Sequence, residues 1–137
     1  MNFKDCILKE LVKISKFSTI IINSELMTAD KFLTDSERLL KLKESNASGI
    51  FSYLSMFHYS RAYLYTKGYK EKSHFCVFQY LAEDENKILT QLGEKGQHYR
   101  YLRELIQYEG SEITASVAKN MLKDAKSFKQ EISKLCK

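Results

Sequence analysis

The stretch Phe57–His74, FHYSRAYLYTKGYKEKSH, decides how this chain is read. Its first half continues a pattern that begins near Ala47, in which Ile50, Leu54, Phe57 and Leu64 recur at helical spacing. Gly68 is a good C-terminal stop for that helix. KEKS then reads as a short loop, and Ser73 is placed to cap a new helix that starts at His74. The stretch is therefore a helix, a stop, a loop and a second helix start.

The same period extends outward in both directions. Upstream, one helix is predicted over about Phe3 to Ser15, with Phe3, Ile7, Leu11 and Ile14 on one side. STIII follows as an extended link or bend. A second helix is predicted over about Ser24 to Glu44, with Ser24 or Thr28 as its cap. Downstream, the helix from His74 carries Phe75, Phe78 and Leu81 and is expected to break near Glu83-Asp84-Glu85. GEKG, Gly93 to Gly96, reads as a helix-to-helix turn. A further helix is predicted over about Gln97 to Tyr108, and Gly110-Ser111 separates it from a last one. That last helix has the clearest stripe: Ile113, Val117, Met121, Ala125, Phe128 and Ile132. The expected fold is all-α, an up-and-down bundle of about five to six helices in one domain over residues 1–137. Residues 1–23 are read as an N-terminal helix and link, and 24–137 as the core bundle.

Composition agrees with this. There is no proline and there are only five glycines, so little interrupts long helices. The hydrophobic fraction, 44%, supplies a core and excludes a disordered chain. Cys6, Cys76 and Cys136 are far apart and odd in number, with no CxxC pair, and read as reduced thiols of an intracellular protein. Apolar runs such as Ile20-Ile21-Ile22 are far too short for a membrane span, and the charged N-terminus is no signal peptide. The expectation is a cytoplasmic protein without a membrane partner. A net charge of +5 is compatible with an anionic partner and also with a solvated lysine-rich surface.

Most site signatures are missing. There is no P-loop, dinucleotide fingerprint or nucleophile elbow, and the three histidines have no zinc spacing, so neither metal nor cofactor is expected. What remains is the polar set of the opening stretch. Arg61 is four residues after Phe57 and three before Leu64, hence on the apolar side, where it needs an anionic or carbonyl partner. His58 shares part of that face. The tyrosines at 59, 63, 65 and 69 suit base stacking beside Lys67, Lys70 and Lys72. They suit equally a core or an interface, where a ring with a polar tip fits.

Phe57-His58, Arg61-Ala62, Lys67-Gly68 and Lys72-Ser73-His74, taken together, resemble the small prokaryotic HEPN-domain proteins. These carry a helix reading roughly R-x-Y-Y-A-x-F-H-x-x-R-A-L-L-x-x-x-G, then a short loop and S/T-H. The resemblance continues at Arg103-Glu-Leu-Ile-Gln-Tyr108, which is similar to the family's R-x-x-A-D-Y, and at Ala29-Asp-Lys-Phe-Leu33 upstream. It covers the chain from about residue 20 onward. This sequence departs from the pattern at Phe51, where the family has arginine, at Leu54, where it has a second tyrosine, and at Gln107, where it has aspartate.

The resemblance implies a helical bundle that commonly dimerises. It often works beside a small nucleotidyltransferase in toxin–antitoxin or defence modules. Active members are metal-independent ribonucleases that use an arginine and a histidine with four to six residues between them. After Arg38, Arg61, Arg100 and Arg103 no histidine stands at that distance, and the nearest equivalent is Arg103 with Tyr108. A tyrosine titrates near 10 and is a poor substitute for a base that works near neutrality. The sequence therefore points to an accessory module without catalysis. It would bind nucleotide, RNA or a nucleotidyltransferase through Arg61, His74, Arg103 and Tyr108. The alternatives are a divergent endoribonuclease using His58 or His74 with Arg103, and an oligomerisation scaffold without ligand.

Overall fold

The computed structural model describes residues Met1–Lys137. Six helices and two short strands follow one another: α1 (Phe3–Leu8), β1 (Val12–Ile14), α2 (Thr19–Lys41), α3 (Ser45–Thr66), β2 (Tyr69–Glu71), α4 (His74–Ala82), α5 (Lys87–Glu109) and α6 (Ala115–Ile132). A 3-10 turn, Ser133–Cys136, closes the chain. The architecture is an all-α helical bundle.

The core forms around α3. Its apolar residues surround the whole helix instead of one stripe, and 13 of its 22 residues are buried. It packs on α2 and α6, while α4 packs mainly on α5. The α2–α3 contact is close because its buried side chains are small. Ser36 and Ser48 each donate to the other's carbonyl at 2.9 Å, and Ser36 also meets Ser52 at 2.6 Å. Ser55 donates to the Ala29 carbonyl at 2.9 Å. Each of these buried hydroxyls is thereby satisfied.

The structure shifts several helix boundaries. The predicted first helix stops at Leu8, and Glu10 takes a left-handed φ of 59°. The chain then reverses into Val12-Lys13-Ile14, which pairs antiparallel with Tyr69–Glu71 in the register Val12↔Glu71. KEKS is thus partly strand. Two β-branched residues and a partner strand prevail over a helical pattern that local sequence alone supports. STIII is the first turn of α2, capped by Ser18, whose Oγ accepts the Ile21 N–H at 3.2 Å; neither Ser24 nor Thr28 caps it. GEKG is no turn, because α5 runs through it. Gly93 and Gly96 are three apart on the face against α4, where side chains would collide with Ala82 and Phe78. Gly68, with φ 83°, does end α3, and the break around Glu83–Glu85 falls between α4 and α5 as expected.

The reading of three reduced thiols also needs correction. Cys6 and Cys76 form a disulfide with Cα atoms 6.0 Å apart, and only Cys136 is free. The spacing hid this pair because its sequence separation is 70 residues.

Candidate functional site

The polar cluster is assembled from five segments. Helix α3 supplies Tyr53, Phe57, His58 and Arg61, one turn apart on neighbouring faces. Helix α4 begins with His74. Helix α5 contributes Arg100 and Arg103, while α2 contributes Glu25 and β2 contributes Glu71.

Arg61 finds the anionic partner its position demands. It donates to Glu25 at 2.5 Å and lies 3.6 Å from Glu71. Its guanidinium rests over the rings of Phe57 and Tyr65, 5.5 and 5.4 Å from their centres. His58 Nδ1–H donates to the other oxygen of Glu25 at 2.7 Å. Burial alone would raise the Glu25 carboxyl, but the hydrogen bonds from His58 and Arg61 outweigh it and hold the group below its ordinary value. Arg61 and His58 therefore tie α3 to α2, and the Arg61 charge is largely neutralised within the fold.

His74 and Arg103 form the other half. The His74 ring stacks on Phe57, 3.8 Å between centres, and its Nδ1 meets the Tyr53 hydroxyl at 2.8 Å. Arg103 lies over the face of the same Tyr53, 5.0 Å from its centre. Tyr53 thus links His74 and Arg103, which are 29 positions apart. Arg103 donates to Gln107 at 3.0 Å but has no carboxylate partner, and its Nε is buried and unpaired. Arg100 bonds Gln97 and Glu104 at 3.1 and 3.2 Å and covers Phe75.

The electrostatics follow from this crowd of cations. Burial, then the positive charges of Arg103, Arg61, His58 and Arg100, push the His74 imidazole down to about 4. The ring is neutral at pH 7. Burial raises the Tyr53 phenol to about 12 against the pull of Arg103 and Arg100, so its hydroxyl keeps its proton. Stability must respond to pH. The His74 value in the fold, about 4, is below its ordinary 6.5, so the unfolded chain binds the proton first as pH falls. Stability is full above pH 6.5 and is lost progressively towards pH 4. His74→Phe keeps a ring on Phe57 and removes the titration. Its urea midpoint should fall less steeply over that range than the parent's; equal slopes would contradict the assignment.

The structure thus brings His58, Arg61, His74 and Arg103 into one cluster around Phe57 and Tyr53. It does not bring Tyr108 there. Five residues beyond Arg103 on the same helix is about 140° around its axis, and Tyr108 is 75% exposed. Glu25, Glu71, Tyr53 and Arg100 were missed from sequence. The need of Arg61 for an anion was legible, but no local signal names a glutamate 36 residues away.

An all-α bundle with cations gathered in one cluster is the class of protein that fold and site define. The HEPN domain family model matches residues 24–135, and the chain belongs to the HEPN-domain family. No curated protein matches it. No helix is long and apolar enough to cross a membrane.

Proposed function

We propose that this chain is a non-catalytic HEPN module that binds the phosphate of a nucleotide or RNA on Arg103. The observation that carries this is the unpaired charge of Arg103. Its neighbour Gln107 offers a neutral oxygen at the place where the family resemblance has an aspartate. A phosphate supplies the missing anion through charge-assisted hydrogen bonds. His74 supports it. With the protonated Tyr53 hydroxyl donating to Nδ1, the proton of the ring sits on Nε2, which is available as a second donor. Such a module works as a homodimer beside a nucleotidyltransferase in a toxin–antitoxin or defence setting.

The runner-up is a ribonuclease with His74 as its base, favoured by the Tyr53 bridge to Arg103. A histidine that titrates at about 4 is a weak base, and it is too acidic to hold a proton for a leaving group at pH 7. Binding is the better fit.

Titration calorimetry with a mononucleotide and a short RNA at low salt tests the reading. Arg103→Ala should weaken binding roughly 10- to 100-fold, the value of one or two charge-assisted bonds. Gln107→Asp should do nearly as much, because it neutralises Arg103 in place. Tyr108→Ala should leave affinity unchanged. Binding that ignores both Arg103 and Gln107 would refute the site. Metal-free RNA cleavage that is lost in His74→Phe would promote the ribonuclease.

A further inference from the structure

Residues 1–18 lie outside the stretch that matches the family, yet they grip the segment that joins the two halves of the site. That segment, residues 67–73, runs from the end of α3 to His74. Strand β1 pairs with β2 along it. Lys72 N–H donates to the Leu11 carbonyl at 2.8 Å, and Ser15 N–H to the Gly68 carbonyl at 2.9 Å. Phe17 stacks flat on Tyr65 at 3.7 Å; Tyr65 in turn lies under Arg61 and hydrogen-bonds Glu71 at 3.5 Å. The only covalent link is Cys6–Cys76, and Cys76 is two residues after His74 on the same helix.

We propose that residues 1–18 are a redox-sensitive strap. With Cys6–Cys76 intact, the strap braces Glu71 and His74 for anion binding; with the bond reduced, it detaches and the site loosens. The proposal rests on the anion-binding reading above. The reductant is a dithiol. One of its thiolates attacks a sulfur of the pair, and its second thiol resolves the mixed disulfide. Two electrons and two protons pass to the protein, giving two cysteine thiols, and the dithiol becomes a disulfide.

Both sulfurs belong to fully buried residues, so the reductant reaches them only when α1 opens. That opening is local. Helix α1 has six residues, and of these only Phe3 and Cys6 are buried. Short elements with few buried contacts open well below the free energy of global unfolding. Once the bond is cut, the strap keeps its three-residue strand, the Phe17–Tyr65 stack, the edge contacts of Phe3 with Tyr69 and Tyr80, and the Phe3 N–H bond to Glu83. An isolated pair of strands is marginal in water.

The test uses the full chain, oxidised and after dithiothreitol, with inorganic pyrophosphate as the probe. Three readouts are taken: hydrogen exchange at the Ser15 and Lys72 amides, helix content by circular dichroism, and pyrophosphate affinity by calorimetry. Reduction should speed exchange of both amides at least tenfold, keep the helix content, and weaken affinity roughly tenfold. Cys6→Ser should show the same values without reductant and ignore its addition. Phe17→Ala loosens the strap without touching the sulfurs and should lower affinity part of the way.

Amides that stay protected after reduction would overturn the strap. So would exchange that speeds up while pyrophosphate affinity stays the same, or a loss of helix content, which would make the bond a staple of the whole fold. No pyrophosphate binding by the oxidised protein would overturn the anion reading, and the proposal with it. Binding that is equal in both redox states would overturn the proposal alone.

Discussion

Gly93→Ala will destabilise the protein by about 2 kcal/mol and lower its Tm by roughly 8 °C. The added Cβ would meet the Ala82 backbone nitrogen and would lie 2.7 Å from both the Ala82 Cα and the Phe78 carbonyl oxygen. All three are backbone atoms of α4, so no rotamer change makes room. Overpacking of this kind costs up to about 3 kcal/mol. Alanine returns about 1 kcal/mol as the better helix former. Gly96→Ala presses on the Phe78 ring instead, which is fully buried and also held between Tyr53 and Phe128. It should be destabilising for the same reason, with the strain taken up by a side chain. Thermal unfolding followed by circular dichroism measures both. A Gly93→Ala protein as stable as its parent would mean that α4 and α5 do not cross this closely.

Glu25→Ala will cost about 2 kcal/mol, below the 3–5 kcal/mol range for a fully buried pair because this one is partly solvated. Glu25 is 13% and Arg61 24% exposed at the side chain, and His58 shares the carboxylate. Removing it leaves His58 without its partner and Arg61 with Glu71 alone, 3.6 Å away, in the gap between α2 and α3. The stranded charge is the cause, so removing that as well should help. Glu25→Leu combined with Arg61→Met should recover at least half of the loss, since well-packed apolar groups replace such pairs with little penalty. Urea denaturation of the parent, the single variant and the double variant decides it. A double variant as unstable as Glu25→Ala would place the loss in packing and not in the unpaired charge.

The two cases differ in what the sequence reveals. Arg61 on an apolar helical face announces that it needs a partner, and its identity stays open until α2 is laid beside α3. Gly93 and Gly96 give the opposite signal. Two glycines around Glu-Lys look like a turn, and only the approach of α4 shows that they are small because a helix crosses there. The polar set divides the same way. Arg61, His58, His74 and Arg103 were all found from sequence, yet their roles separate only in three dimensions. Glu25 and Glu71 take up the first of these, whereas Gln107 leaves Arg103 its charge. Tyr108 follows the family's motif spacing, but the helix turns it about 140° away into solvent.

By itself, the sequence determined the helical class, the stop at Gly68, the start at His74 and the break after α4. These rest on local quantities: the period of apolar residues, a left-handed glycine, a missing proline. Tertiary structure alone decided the β1–β2 pairing, the continuity of α5, the Cys6–Cys76 bond and the pairing of Arg61 with Glu25. Each joins residues that are far apart in the chain, and their free energy appears only when distant segments meet and exclude water between them. A helical period records which face of a segment is buried. It carries no record of the side chain, strand or sulfur that the face is buried against.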